Sequence, residues 1–245
     1  GTATTLSVSG STLEGSLRGL WVQSTHATAT VKASVSDSQV DRNDYGLHID
    51  TGAGAAGALA ATGNAGPNPP SPALVLKALA RECVQAPFSL IGRNAEAHPD
   101  FVRRIATEGH TVAHHSMTHP LTLASISYAA AVDNIERGIK AVEKAAAPHK
   151  AAHFFRFPGF GSSPALLNYL DRKGYAVFGA DLWASDWNPM TPEYELSLVM
   201  ARLKHAGGGI ILFHDTQAHT ARMLPAFLRA LKAGGFKVVH AVPAR

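Results

Sequence analysis

The stretch APFSLIGRNAEAHPDFVRRIATEGHTVAHHSMTHP, residues 86–120, contains two short apolar runs separated by a helical pattern. The first run covers 86–92, the helical pattern covers 97–109, and the second run covers 110–115. A short apolar run bounded by a helix is typical of a buried strand in a parallel sheet. Gly109 is the last residue of the helical pattern, and glycine commonly marks the end of a helix. The stretch therefore predicts a strand–helix–strand unit.

The same alternation continues along the rest of the chain. Further apolar runs, each next to a helical pattern, predict strands at 153–157, 175–180, 209–214 and 236–242. Strands that alternate with helices lie parallel and are joined by right-handed crossovers, as in an α/β barrel or an open sheet. We count six or seven units, which is too few for a complete eightfold barrel.

The N-terminal part has a different composition. Ser, Thr, Ala and Gly dominate it, and short alternating stretches at 4–8 and 27–31 predict strands. Residues 51–70 are dense in Gly and Pro, which predicts a loop or a passage from strand to loop. We therefore expect an N-terminal segment of short strands at 1–57 and a catalytic domain at 58–245, with no short-period repeat.

Composition excludes several classes of protein. The chain has 245 residues, 46% of them hydrophobic, and no uncharged apolar run of the length that a membrane span needs. The net charge of +4 is spread thinly, which does not indicate nucleic-acid binding. A single cysteine, Cys83, excludes an internal disulfide and a multi-cysteine zinc site. Residues 1–10 lack the pattern of a signal peptide, but export stays open because such a peptide is removed.

Polar side chains follow the predicted strands at the end where parallel α/β folds bind ligands. His115 and His119 come directly after one strand, and imidazoles four residues apart converge on a metal if the segment turns helically. The alternative, which the spacing alone favours, is that they are surface loop histidines. Arg156 emerges from an apolar strand, where it needs a carboxylate or a substrate anion, and a structural ion pair is the alternative.

The last two predicted strands also end in polar residues. Asp186 lies between Trp183 and Trp187, and acidic residues interleaved with indoles suit a sugar subsite. The alternative is that the tryptophans complete the core. His214 ends a buried strand and is a candidate general acid, although a single histidine there can also be a core or capping residue.

Taken in order, these motifs resemble those of the polysaccharide deacetylases of carbohydrate esterase family 4, the nodulation-type deacetylase domain. His115 and His119 resemble the family's metal-binding histidine pair. Residues 156–159, Arg-Phe-Pro-Gly, resemble its third motif, and residues 186–187, Asp-Trp, resemble the end of its fourth. Residues 212–214, Leu-Phe-His, match its fifth motif.

The resemblance, which spans 58–242, implies both a fold and a reaction. The fold is a distorted (β/α) barrel with about seven strand–helix units. The reaction is metal-dependent hydrolysis of an N-acetyl group on an amino-sugar polymer or oligosaccharide. The resemblance also implies a divalent metal bound by His115 and His119, with zinc as the first choice. His114 is expected to point away from them, because adjacent strand residues face opposite sides.

The resemblance also implies roles for the other motif residues. His214 would protonate the leaving amine, Arg156 would orient the catalytic base, and Asp186 would tune its neighbours. The expected substrate-binding residues are Trp183, Trp187, Phe157 and Pro158.

The first motif departs from the family pattern, which has an aspartate base followed by an aspartate ligand. Counting back from the strand at 86–92, the matching window is 62–67, where Asn64 and Ala65 replace both carboxylates. Asp50 lies upstream in an Asp-x-Gly context and is the only nearby carboxylate that could serve as base. Its use would require an insertion between strand and helix.

These observations leave more than one function open. The first is an active deacetylase of an N-acetylated glycan, and the second is a carbohydrate-binding pseudo-enzyme that lost its base. A third is an intracellular hydrolase of a small C–N bond. We expect a periplasmic or secreted protein, with a cytoplasmic one still open, and the sequence leaves the glycan and the oligomeric state undetermined.

Overall fold

The structure is a computed structural model that describes residues 71–243 in full and, before them, the backbone of Pro70 and of seven strands. These strands are β1 (Ala3–Ser9), β2 (Thr12–Glu14), β3 (Arg18–Gln23), β4 (Thr30–Ser36), β5 (Gln39–Asp41), β6 (Tyr45–Asp50) and β7 (Ala56–Thr62). The first six pair among themselves, whereas β7 belongs to the main sheet.

The six N-terminal strands form three parallel pairs, β1 with β4, β2 with β5 and β3 with β6. The paired residues share one offset, since Ala3 pairs with Thr30, 27 positions further on, and the other two pairs keep that spacing. The sequence carries the same offset, with Ser-Val-Ser at 7–9 and again at 34–36. The expectation of no short repeat is therefore wrong. Few residues are identical, and the offset becomes visible only once the strands are paired.

The main sheet contains β7 and seven later strands, all parallel where they pair. The later strands are β8 (Pro87–Leu90), β9 (Thr111–His114), β10 (Phe154–Phe155), β11 (Ala176–Val177), β12 (Leu182–Trp183), β13 (Gly209–His214) and β14 (Lys237–Val239). The strand order is β11-β10-β9-β8-β7-β13-β12, and β14 also pairs with β7. Because the strands are parallel, their carboxyl ends lie at one edge of the sheet.

Seven helices accompany this sheet in the described part of the chain. They are α1 (Pro70–Arg81), α2 (Gly92–Ala97), α3 (Pro99–Thr107), α4 (Tyr128–Ala146), α5 (Pro164–Arg172), α6 (Pro192–Ala206) and α7 (Ala218–Ala233). Short polar side chains cap three of them: Ser127, Ser163 and Thr191 each accept a hydrogen bond from a first-turn amide. α6 ends at Gly207, whose φ of 78° is the left-handed cap that favours glycine.

The core consists of two clusters of buried apolar side chains. The larger joins α1 and α7 to the sheet and includes Leu76, Leu79, Phe88 and Phe227. The smaller joins α4 and α5 to β10 through residues such as Ile135, Phe155 and Leu170. The smaller cluster anchors the strand that carries Arg156, so it bears directly on the site.

The predicted α/β barrel is confirmed, with differences in the lengths of its elements. The strand predicted at 153–157 is only β10, and the run predicted at 175–180 is β11, after which the unpredicted β12 follows. β7 begins at Ala56, two residues before the boundary that the sequence predicts. Among the helices that the structure describes, none is long and apolar enough to cross a membrane.

Candidate active site

Four predicted site residues emerge at the same edge of the sheet. His115 follows β9, Arg156 follows β10, Asp186 lies three residues after β12, and His214 ends β13. Pairing keeps these exits close in register, because His114 pairs with Phe155 and Trp183 pairs with Leu212. The structure therefore assembles side chains that are up to a hundred positions apart in the sequence.

The histidine loop has an unusual backbone. Ser116 and His119 have φ values of 61° and 58°, in the left-handed region that side chains other than glycine rarely adopt. The Ser116 hydroxyl accepts a hydrogen bond from the His119 amide at 3.1 Å, and Asn134 of α4 accepts from the Met117 amide at 2.9 Å. The strained turn brings the rings of His115 and His119 to a centroid distance of 4.7 Å.

Close packing by α4 supports this loop. Gly138 lies against the Ser116 carbonyl, and a Cβ at that position would be 2.5 Å from the Met117 backbone nitrogen. No side chain fits at such a distance without movement of the backbone. Gly138 therefore allows the helix to approach the loop that carries the two histidines.

Both imidazoles are held in the neutral form. His115 is buried, and burial followed by the nearby Arg156 guanidinium lowers its pKa well below the usual value. Burial, and then His214, lowers the pKa of His119. His115 Nδ1 lies 2.6 Å from the Arg156 carbonyl, which can only accept, so Nδ1 carries the proton and Nε2 keeps its lone pair. A neutral imidazole fixed through its second nitrogen is the form that binds metals.

His114 points elsewhere, as predicted. Its ring packs edge-on against Tyr175 at 5.5 Å, whereas the His115 ring packs against His119. Burial lowers the pKa of His114 to about 4, so it is a neutral core residue.

Arg156 is buried behind the His115 loop, with 2% of its surface exposed. Its amide donates to the His114 carbonyl at 3.0 Å, which continues the β9–β10 pairing. Burial lowers the pKa of its guanidinium, which nevertheless stays charged at neutral pH. It therefore provides a fixed positive charge at the strand end.

His214 and Asp186 form the second half of the site. Asp186 is fully buried; its Oδ1 lies 2.7 Å from His214 Nδ1, and its Oδ2 accepts from the His214 amide at 2.6 Å. The carboxylate fixes the orientation of the imidazole and places a proton on Nδ1. The Trp187 ring lies edge-on to His214 at 6.0 Å.

The predicted substrate-binding residues divide into two groups. Trp183 and Trp187 are 41% and 52% exposed, so their indoles are available to a ligand. Phe157 is 3% exposed and packs against Phe155 at 5.0 Å, and Pro158 is also buried. The prediction for Phe157 and Pro158 is therefore corrected: they support the strand end and present no face to a sugar. The motif places a residue near the site but does not set the direction of its side chain.

The aromatic surface includes one residue that the sequence analysis did not select. Phe160 is exposed, and its ring lies 6.5 Å from that of Trp183. Its φ of 58° is strained for a bulky side chain. The sequence gives little signal for this residue, because it lies just beyond the motif at 156–159.

The first-motif window begins at the last residue of β7. β7 ends at Thr62, which pairs with His214 of β13. Asn64 and Ala65 lie outside the described residues. The backbone of Asp50 ends β6 in a separate two-stranded pair with β3, and its side chain also lies outside the described part. In residues 71–243 no three His, Cys, Asp or Glu side chains converge on a possible metal site.

Two buried polar residues extend the site, and the sequence analysis missed both. The Thr220 hydroxyl lies 3.0 Å from Asp186 Oδ2 and 2.8 Å from Glu195 Oε1. A signal for Glu195 exists, because it shares the apolar stripe of α6 with Val199 and Leu203, at i, i+4 and i+8. A carboxylate on such a stripe must be buried.

Fold and site together define a class of protein. A parallel α/β barrel with a neutral histidine pair and a histidine–carboxylate pair at its carboxyl edge is typical of a metal-dependent hydrolase. The family model for polysaccharide deacetylases matches residues 52–178. The chain therefore belongs to the polysaccharide deacetylase family, hydrolases that act on carbon–nitrogen bonds other than peptide bonds.

Individual relatives agree with this assignment. A chitooligosaccharide deacetylase of Rhizobium leguminosarum bv. trifolii is 35% identical over 153 residues, which cover 61% of this chain and 67% of the relative. A peptidoglycan deacetylase structure from Bdellovibrio bacteriovorus is 28% identical with a TM-score of 0.68, and the match covers 78% of this chain and 53% of that one. The chain thus spans about half of that larger protein.

The same fold occurs in a protein described as a pseudoenzyme. The pseudoenzyme of this family from Bacillus anthracis has a TM-score of 0.68 and 24% identity, with coverage of 76% of this chain and 63% of that one. The likeness concerns the fold alone.

Proposed function

We propose that this protein removes N-acetyl groups from an amino-sugar polymer or oligosaccharide by metal-dependent hydrolysis. The observation that carries the proposal is the arrangement at the sheet edge. Two imidazoles in the ligating form lie beside a histidine held by a buried carboxylate. Activation of the carbonyl by an electrophile and protonation of the leaving amine are two of the steps that hydrolysis of an amide bond requires.

The metal would be held by His115 and His119, with zinc as the first choice because zinc favours imidazole ligands. The residues fit such an ion. His115 has its Nδ1 fixed by a backbone carbonyl, and both rings are neutral. A bound divalent metal would polarise the acetyl carbonyl and lower the pKa of water. Further ligands would have to come from water or from outside residues 71–243.

The chain's own residues would handle the protons and the charge. His214 would donate a proton to the leaving amine nitrogen from Nε2, because Nδ1 is occupied by Asp186. Asp186 would stabilise the imidazolium form that this donation requires. Arg156 would contribute a fixed positive charge behind the histidine loop and orient the catalytic base.

The mechanism lacks a general base at the position where the family has one. Asn64 cannot accept a proton at neutral pH, and Ala65 offers no ligand atom. Loss of a positioned base costs about 10²–10⁴-fold in rate, so we expect weak activity unless Asp50 reaches the site. The alternative function is a carbohydrate-binding pseudo-enzyme, and the Asn64–Ala65 replacement is the specific observation in its favour.

Two sets of variants separate these possibilities. If the site is degraded, the double change Asn64→Asp with Ala65→Asp should raise activity strongly, while Asp50→Ala should have no effect. If Asp50 is the base, wild-type activity should be robust and Asp50→Ala should abolish it. The second result would overturn the alignment of the first motif.

The substrate side of the proposal depends on Trp183 and Trp187. Exposed indoles beside a carboxylate and a histidine suit stacking on a pyranose ring. The relatives named above as deacetylases of chitooligosaccharide and peptidoglycan support an N-acetylated glycan as the substrate. Such polymers occur outside the cytoplasm, so we place the protein in the periplasm or in the extracellular space.

The experiment is an acetate-release assay on N-acetylglucosamine oligomers, with metal analysis of the same preparation. The proposal expects acetate release that depends on added zinc and is lost with His115→Ala and His119→Ala. Zinc uptake equal to wild type in that double variant would remove the two histidines from the metal site.

A further inference from the structure

A buried chain of polar groups leads away from the general-acid histidine into the protein. His214 of β13 contacts Asp186, Asp186 contacts Thr220 of α7, and Thr220 contacts Glu195 of α6. Asp186 and Glu195 are fully inaccessible to solvent, and Thr220 is nearly so. None of the sequence motifs includes Glu195 or Thr220.

The single hydrogen of the threonine hydroxyl decides how this chain works. Thr220 Oγ1 lies within hydrogen-bond distance of two carboxylates, 3.0 Å from Asp186 and 2.8 Å from Glu195. One hydroxyl donates once, so it can satisfy only one ionised carboxylate. If both carboxylates were ionised, the Thr220 oxygen would face one of them in a buried site with no hydrogen between the two oxygens. One of the two carboxyl groups must therefore hold a proton and donate it to Thr220.

The surroundings of the Asp186 and Glu195 carboxyl groups differ in their number of hydrogen-bond donors. Asp186 accepts from the His214 amide, from His214 Nδ1 and from Thr220, so three donors stabilise its ionised form. Glu195 has Thr220 as its hydrogen-bond neighbour on Oε1, and its Oε2 has no hydrogen-bond partner among the described residues. Burial of an ionised carboxylate that accepts no hydrogen bond costs free energy. The proton therefore belongs on Glu195.

The other groups that face Glu195 do not change this assignment. His219 Nε2 lies 3.8 Å from Glu195 Oε2, but it is closer to the Asp186 carbonyl, at 3.1 Å, which takes its proton. The N-terminus of α6 favours a charge on Glu195, by an amount smaller than the cost of burial. Burial, followed by Asp186, raises the pKa of Glu195 to about 7 against the lowering effect of Thr220.

We propose that Glu195 is a protonated positioning residue, which donates to Thr220 so that Thr220 in turn donates to Asp186 and fixes His214. The role in catalysis rests on the proposed deacetylase function. The proton order is Glu195 to Thr220 to Asp186, with His214 Nδ1 donating to the same carboxylate from the other side. The buried cluster then carries one negative charge in place of two, and that charge is directed at the imidazole.

The proton on Glu195 can be observed without any activity. Infrared spectra of the resting protein at about pH 6 should contain a protonated carboxylic acid band that shifts in deuterium oxide and is absent from Glu195→Gln. Glu195→Gln keeps the size and a donor, so it should fold and preserve the chain. A spectrum in which Glu195→Gln removes no protonated acid band overturns the proposal.

The positioning role is tested by Thr220→Val, with Thr220→Ser as the matched control that keeps the hydroxyl. Thr220→Val should lower kcat by about tenfold with KM unchanged, since one hydrogen bond to a charged group is lost. It should also shift the resonance of the His214 Nδ1 proton, observed by NMR of the ring, because Asp186 loses a donor. An unchanged His214 Nδ1 proton resonance in Thr220→Val overturns the role. The infrared and NMR results stand even if the protein releases no acetate, so failure of the proposed function is seen separately.

Discussion

Replacement of Glu195 by glutamine should change how the stability of the protein depends on pH. Burial raises the pKa of this carboxyl from 4.5 to about 7 in the folded state. Between these values the folded protein binds more protons than the unfolded chain, so its stability falls as pH rises. A shift of this size corresponds to about 3 kcal/mol in the free energy of unfolding, lost between about pH 4.5 and 7. Glutamine has no proton to lose, and its variant should escape that loss.

The assay is urea unfolding of both proteins across this pH range. The difference in unfolding free energy, wild type minus Glu195→Gln, should fall by about 1.4 kcal/mol per pH unit in the middle of the range and level off at its ends. Glu193→Gln is the control, because Glu193 is exposed two residues before Glu195 on the same helix. A difference between wild type and Glu195→Gln that stays constant with pH would show that Glu195 is not protonated in the folded protein at pH values where the unfolded chain is ionised.

Three further predictions concern the site and its support. His214→Ala should lower kcat by about 10²–10⁴-fold in any active form of the protein, measured by acetate release, and near-full activity would remove His214 from the mechanism. Asp186→Asn should lower kcat for acetate release by about tenfold, because the imidazolium loses its anionic partner; an unchanged kcat would contradict the pairing. Gly138→Ala should lower the free energy of unfolding by about 2 kcal/mol in urea, although helix propensity alone would favour alanine by up to about 1 kcal/mol. A free energy of unfolding equal to that of wild type would show that the backbone at Ser116 moves away from the added methyl group at little cost.

Much of this fold follows from local patterns. The alternation of apolar runs and helical stretches predicts parallel strands, and parallel strands place residues such as His115 and His214 at one edge. The lengths of β10 and β12 do not follow, because two-residue strands depend on the neighbour with which they pair. The sequence therefore predicts where a strand ends, whereas the length of the strand depends on its pairing with neighbouring strands in the folded protein.

The candidate site shows the same division. The strand-end residues were predicted because chemistry-bearing side chains there stand out against apolar runs. Thr220 and Glu195 were not, since a polar residue on a helix face reveals its partner only when two helices pack. Phe157 was assigned to the substrate because of its motif, but the motif does not determine that its ring turns toward Phe155.

Acetate release from N-acetylglucosamine oligomers by the metal-reconstituted protein decides whether this site is a deacetylase site. It is made on wild type and on Asn64→Asp with Ala65→Asp, each with and without zinc. We expect zinc-dependent acetate release that is weak in wild type, strong in the double variant, and abolished in both by His214→Ala. Absence of zinc-dependent acetate release from both proteins, with the fold intact, would contradict the assignment of this site to deacetylation.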